Sequence, residues 1–407
     1  MKLSRKYVVL ASLYIVQSVP FSFIKTGFQL LLKEDNIDYK SLGAIMSLLL
    51  LPWVFKFAWA PLVDKWCANS FPKIRKALLF FQVLGAALLG LTASFQFPEA
   101  IQPVLGAFFL FSLVAATQDI IIDAFAVLAL PKKEHGIGNT FQMGGYYVGE
   151  VLGGALILII FDRFGWNWAM MAFVLFFLIP FIPVLLYKHD ETIHPPKPST
   201  SGFSNVKSYF KIQGMGFWLL VMVIYMANQM LASTLLPSMF LDMGYTKTEI
   251  ASIVSIWGNT ASVAGAVLAG VLVEKWGRKN CLVGFGSLKI LSLLGFFLLK
   301  GDADTTIVYS VIMINGFISG LATVTVFTIM MDKCRLTSPG TDFTIQQSIN
   351  LFAIATFGAL SGRLVKADGD FTVLFITAFI VGLVGVLLAA FGLSRKSLDN
   401  GNGLKAS

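Results

Sequence analysis

The chain has too few charged side chains to clothe a water-soluble globule of its length. Only 13% of its 407 residues are Asp, Glu, Lys or Arg, against 56% hydrophobic. With so little polar surface to offer water, most of its solvent is lipid. Cysteine is scarce as well: Cys67, Cys281 and Cys334 are odd in number and show no CxxC spacing, which argues against a disulfide framework and a thiolate metal site. Histidine is limited to His135, His189 and His194, all outside the apolar runs, so no intramembrane metal site is expected. No Walker-type phosphate loop occurs, so an ion gradient and not ATP is the expected energy source, and no cofactor is called for. No Gly-x-Gly-Asp is present, which leaves an intramembrane protease without its motif. Enzyme function is therefore set aside. The net charge of +9 sits mainly in short loops and forms no basic face, so nucleic acid is not an expected partner.

What is abundant is Phe (37) and Gly (36). Aromatic side chains suit lipid-facing surface, and glycine lets helices approach closely where hydrophobicity cannot draw them together. At about 20 residues per span, twelve apolar segments are expected, near 7–32, 41–63, 74–95, 103–130, 138–161, 167–187, 214–241, 249–273, 281–299, 306–331, 341–365 and 371–393. Lys2, Arg5 and Lys6 precede the first, which lacks the small-residue cleavage site of a signal peptide. The expected fold class is all-α, a polytopic membrane protein. The polar stretch 188–213, with Pro195, Pro196 and Pro198, reads as a cytoplasmic linker between six-helix halves at 1–187 and 214–407.

Loops on one side hold 21 of the 31 Lys and Arg and those on the other hold 6, the remaining four being Lys25, Lys56, Lys289 and Arg363 inside spans. The positive-inside rule then puts both termini and the linker in the cytoplasm. An internal repeat supports duplication. Leu62-Val63-Asp64-Lys65-Trp66 recurs as Leu272-Val273-Glu274-Lys275-Trp276, and Thr140-Phe141-Gln142 is echoed by Thr344-Ile345-Gln346.

Gly270 to Lys279, with Glu274, Lys275, Arg278 and Lys279, resembles the loop signature of the major facilitator superfamily, which implies two six-helix halves and alternating access. The segments Leu51 to Asp64 and Thr117 to Ala124 resemble the branch holding muropeptide permeases, acetyl-coenzyme A transporters and certain siderophore permeases. Gly138 to Tyr146 and Gly340 to Thr344 are more similar to siderophore permeases of the rhizobactin and pyochelin type, although those relatives carry Arg where this chain has Tyr147. The resemblance implies uptake of a siderophore or iron chelate into the cytoplasm. A muropeptide or other small organic solute is the alternative. By the same resemblance Asp64, Lys65, Glu274, Arg278 and Lys279 form a cytoplasmic gate.

Charges in hydrocarbon are costly, so each is a functional candidate. Asp119 and Asp123 lie four apart on one helix face, and Lys56 lies at a depth that permits pairing with them. Either they lock helices together or one Asp carries a coupling proton. Glu150 falls near mid-span among Gly145, Gly149, Gly153 and Gly154, with Tyr146 and Gln142 one and two turns before it. Glu150, Asp119 and Asp123 are the proton-coupling candidates. Lys56, Gln142, Tyr146, Asn228, Gln229, Asn315 and Gln346 are the candidates to line a substrate cavity, with interhelical hydrogen bonding as the alternative for the uncharged ones. Lys25, Lys289 and Arg363 are expected to snorkel to an interface. The expected setting is an inner membrane, with the bilayer, a proton gradient and a small solute as partners, and the chain acting as a monomer.

Overall fold

The computed structural model describes residues 5–34, 39–67, 69–188, 196, 203–299, 303–365, 370–394 and 398. Half of the expected linker, residues 189–195 and 197–202 with Pro195 and Pro198, and the side chain of Lys25 lie outside the described residues. Helix dominates what is described.

The first helix, α1, runs through Arg5–Ser22, a π-helical stretch Phe23–Phe28 and Gln29–Glu34 without a break. In α2, Tyr39–Phe55 passes into a 3-10 turn Lys56–Ala58 and then Ala60–Cys67, bent by 59°. Pro61 explains the bend: it has no N–H to give, and its ring crowds the carbonyl four residues back, in the 3-10 turn. Ten further helices are long and apolar enough to cross a bilayer. They are α3 Phe71–Ala93, α4 Ile101–Ala129, α5 Lys132–Phe164, α6 Trp166–Leu185, α7 Met215–Asp242, α8 Ala251–Trp276, α9 Arg278–Leu298, α10 Thr305–Asp332, α11 Pro339–Leu364 and α12 Thr372–Gly392. Their places match the twelve expected segments. The main difference is α5, which begins at Lys132 right after Pro131 and so takes in a stretch expected to be loop.

The residues divide into two compact units. One comprises 1–131, 145–206 and 334–348, and the other 132–144, 207–333 and 349–407. The units therefore depart from the halves expected from sequence at two places, the start of α5 and the start of α11.

In the first unit α3 packs on α4 and α6, and α2 packs on α4. The second repeats the scheme six helices later, with α9 on α10 and α12, and α8 on α10. This repetition is the structural counterpart of the duplicated strings. The first unit's core is aromatic: Phe28 meets Phe108 at 4.9 Å between ring centroids, and Trp166 stacks on Phe97 at 4.6 Å. The second is built around Phe240, Phe296, Leu293 and Phe375. Large apolar side chains also point outward, Phe391 at 87% exposure among them, as a lipid-facing surface requires.

Candidate functional site

In the first unit α1 and α5 lie backbone to backbone. A Cβ on Gly145 would sit 2.9 Å from the Ile15 nitrogen, and one on Gly149 would sit 3.0 Å from the Ile15 oxygen. A Cβ on Gly153 would overlap the Val19 carbonyl. The π-helical stretches Phe23–Phe28 and Leu152–Leu156 touch one another along this seam. Where the second begins, the Ser22 hydroxyl donates to the Glu150 carbonyl oxygen at 3.1 Å, reinforcing the backbone at a point where the helical ladder changes register.

Glu150 is thereby positioned by its backbone, and its carboxylate accepts from the Tyr146 hydroxyl at 2.8 Å. A path of half-buried aromatic rings leads away from this pair. Tyr146 lies 6.4 Å from Phe21, Phe21 meets Trp53 edge-on at 5.4 Å, and the Lys56 ammonium lies 5.7 Å from the Trp53 ring centroid. The last distance is within the range of a cation–π contact.

Lys56 is buried and donates to Asp119 Oδ2 and to Gln347 Oε1. Asp123, one helical turn on, accepts from the Tyr14 hydroxyl at 3.0 Å. The residues 120 to 129 that follow Asp119 on α4 are all buried, so this pair is not a surface feature. One cation and two carboxylates are thus buried together, with the neutral partners Tyr14 from α1 and Gln347 from α11.

At the end of α2 the Asp64 carboxylate accepts from the Gly340 and Thr341 backbone N–H groups and from the Thr341 hydroxyl. Beside it Arg335 forms a forked pair with Asp342, at 2.8 and 2.7 Å, and donates to the Asn205 carbonyl. The second unit contains the matching arrangement. Glu274 accepts from the Gly136 backbone N–H at 2.9 Å and from Arg278 at 2.9 Å. Arg278 also donates to Asp332 and to the Lys132 carbonyl, and His135 Nδ1 lies 2.7 Å from Asp332.

Of the residues expected from sequence, the structure brings together Lys56, Asp119 and Asp123, pairs Tyr146 with Glu150, and joins Glu274 to Arg278. Gln142 is buried in the part of α5 that belongs to the second unit. Gln346 donates to the Asp342 carbonyl and to Cys334 Sγ, beside the Arg335–Asp342 pair. Asn228 packs on Gly382, and Gln229 is half-buried beside it, its carbonyl accepting from Ser233. Asn315 accepts from Lys289 at 2.8 Å. Lys65 is exposed and Lys279 half-buried, and among the described residues neither makes an ion pair. Arg363 is exposed at its helix end as expected, whereas Lys289 does not snorkel: it is 3% exposed and hydrogen-bonded inward.

Tyr14, Phe21, Trp53, Asp332, Arg335 and Asp342 were not expected as partners of these sites. Their signal was local for Arg335 and Asp342, charges flanking Pro339 at a helix start. For Tyr14 it was absent, since a tyrosine in an apolar run reads as lipid-facing.

Among the described residues, ten helices long and apolar enough to cross a bilayer, or eleven with the bent α2, and a packing scheme that repeats six helices later are the architecture of a polytopic membrane protein. The profile of the Major Facilitator Superfamily matches residues 10–358, and the chain belongs to that superfamily. It is a multi-pass membrane protein and a secondary transporter of this type. The anhydromuropeptide permease of Escherichia coli K12 is 25% identical over 391 residues, covering 93% of this chain and 79% of the relative. Among solved structures, the superfamily transporter FucP in its outward conformation superposes with a TM-score of 0.70 at 15% identity, covering 95% of this chain and 98% of that one. The proton:xylose symporter XylE bound to 6-bromo-6-deoxy-D-glucose gives 0.68 at 13% identity, with 98% of each chain covered.

Proposed function

We propose that this chain is a proton-coupled permease that carries a peptidoglycan fragment, a muropeptide, into the cytoplasm across the inner membrane. The observation that carries this reading is the alignment of nearly the whole chain with a permease named for anhydromuropeptides. The names of its relatives lend no support to the siderophore or iron chelate implied by the Gly138 to Tyr146 segment, and the muropeptide alternative takes its place. The interior chemistry agrees: a fragment bearing sugar rings and carboxylates needs flat apolar faces and a cation, and Trp53, Phe21, Tyr146 and Lys56 offer both.

In this reading the termini and linker are cytoplasmic, and the sequence halves 1–187 and 214–407 alternate access to the substrate. Asp64 with the start of α11, and Glu274 with Arg278, hold the cytoplasmic gate, with Lys65 and Lys279 at its rim. Glu150 is the leading proton carrier, with Asp119 and Asp123 behind it. Protonation of such a group biases one conformation over another only to the extent that the two bind the proton differently.

The test is uptake by the purified protein in liposomes under an imposed inward proton gradient. A radiolabelled anhydromuropeptide is expected to accumulate, and a ferric hydroxamate or ferric phenolate siderophore is not. Accumulation of a siderophore without the muropeptide would reverse the assignment.

A further inference from the structure

Asn69, in the turn between α2 and α3, is the one residue other than glycine with a positive φ among the described residues, at +50°. An L side chain is strained there, although asparagine tolerates it better than most. The duplicated string makes the choice informative. After Trp276 the second copy turns at Gly277, with φ +82°, a value glycine adopts freely. After Trp66 the first copy carries Cys67 instead and puts its left-handed residue at Asn69. Closing the turn asks only for the backbone, and glycine would serve. What the strained residue adds is its side chain.

That side chain is buried, and its amide nitrogen, with two hydrogens to give, has two acceptors. Nδ2 donates to the Pro196 carbonyl at 2.9 Å and to the Leu336 carbonyl at 2.7 Å. Both partners are carbonyl oxygens, so the nitrogen of the amide and not its oxygen must face them. Pro196 belongs to the linker and Leu336 to the loop ahead of α11, 127 and 267 positions away in the chain.

The same loop has a second tie to the linker. Arg335, held by its fork with Asp342, donates to the Asn205 carbonyl at 2.9 Å. A few positions on, Gly340 and Thr341 give their N–H groups to Asp64. The loop is thus bound to the linker at its near end, through Asn69 and Arg335, and to α2 at its far end, through Asp64. All of these residues belong to the first unit.

From these ties we infer that Asn69 is a latch residue of the gate, which fastens the linker to the loop ahead of α11. So fastened, the loop presents Gly340 and Thr341 to Asp64. Opening the gate carries the loop away from α2 and breaks the Asn69 bonds along with those of Asp64, releasing the linker in the same step. The linker is then a part of the closed gate and not a passive tether. Its place in the transport cycle rests on the gate reading above, while the tie itself is independent of the solute.

The three cysteines of the full-length protein report on the tie. Cys67 lies two residues before Asn69, Cys334 two before Leu336, and Cys281 in the second unit, and all three are buried. Asn69→Gly keeps the turn and removes the amide. A buried thiol reacts when its surroundings open locally. With membrane-permeant N-ethylmaleimide, Cys67 and Cys334 of this variant are therefore expected to be alkylated about tenfold faster than in wild type, the scale of two lost hydrogen bonds, with Cys281 unchanged. Asn69→Asp, which has the same shape and no N–H to donate, is expected to match it. Wild-type rates at Cys67 and Cys334 in either variant overturn the latch, and so does an equal acceleration at all three cysteines, which reports general loosening. A membrane-impermeant maleimide applied to right-side-out vesicles separates this failure from a failure of the gate reading. It is expected to leave Cys67 and Cys334 of Asn69→Gly unlabelled; labelling from outside puts the tie on the outer face and removes it from a cytoplasmic gate.

Discussion

Asp64 and Thr341, 277 positions apart in the chain, are joined twice. Asp64 Oδ2 accepts the Thr341 backbone N–H at 2.7 Å and its hydroxyl at 2.6 Å, while Oδ1 takes the Gly340 N–H at 3.0 Å. The two N–H groups belong to the first turn of α11, where backbone donors have no partner within the helix and the helix dipole favours an anion. Asp64→Asn keeps the shape but turns an amide N–H₂ toward those donors, so we expect a loss of about 2 kcal/mol. Thr341→Val removes the hydroxyl alone and costs about 1 kcal/mol. Thermal unfolding of the purified variants checks the order; equal stabilities for Asp64→Asn and wild type would dismiss the cap.

The pairing of Lys56 with Asp119 is read by a double-mutant cycle. Asp119→Asn strands a buried cation and is expected to destabilise by about 3–5 kcal/mol. Adding Lys56→Met removes that stranded charge, so the double variant should be more stable than Asp119→Asn. Additive losses would mean that the two charges act independently.

Glu150→Gln holds a neutral form of nearly the same shape. Exchange of labelled for unlabelled solute across a liposome membrane should continue at about wild-type rate, while accumulation under a proton gradient fails. Tyr146→Phe, which removes the 2.8 Å hydrogen bond and leaves the carboxylate, is expected to keep accumulation with a shifted pH profile. Undiminished accumulation by Glu150→Gln would return that residue to a packing role.

Glycines differ in what they permit. Gly149→Ala drives a methyl group against the Ile15 carbonyl and the Ser18 side chain, with an expected cost of about 1–3 kcal/mol. Gly144→Ala, five residues earlier on the same helix, has open space and should be neutral or slightly stabilising. Melting temperatures of the two variants give the comparison.

Ahead of α8, Thr246 and Glu249 satisfy one another. The Glu249 carboxylate accepts from the Thr246 backbone N–H at 2.8 Å and from its hydroxyl at 2.7 Å. The backbone bond first, then the hydroxyl, hold this carboxyl below its ordinary range. Its stabilisation is therefore present above the unfolded-state pKa and disappears as pH falls through the lower folded-state value. Thr246→Ala should weaken the protein near neutrality and weaken it less in strong acid, where only the Glu249 N–H bond to the Thr246 hydroxyl is still at stake; a pH-independent effect would speak against the reciprocal cap.

Thr246-x-x-Glu249 is a pattern that sequence alone displays, as are the apolar runs and the spacing of Asp119 and Asp123. Hydropathy recovers the spans because each must satisfy its own backbone in lipid. The bend in α2 was also written in the chain, at Pro61, inside what reads as one continuous apolar run. What could not be read is which distant groups meet. Gln347 reaches Lys56 across 291 positions, and Asp332 reaches His135 across 197. Neither distance has a periodicity to announce it. Lys289 shows the same limit from the other side: a lone lysine in an apolar run reads as a snorkelling residue, and only the polar face of α10, with Asn315 and Ser319, reveals that it turns inward.

The seam between α1 and α5 has a mechanical consequence. Side chains between helices act as springs, since rotamers absorb small displacements before the backbones feel them. At Gly145, Gly149 and Gly153 there are no such springs, because main chain rests on main chain over three successive contacts. Along this stretch α1 and α5 therefore behave as one welded beam. A tilt imposed on Tyr14 or Ser18 reaches Glu150 without slack, and a change at Glu150 is delivered to α1 undamped.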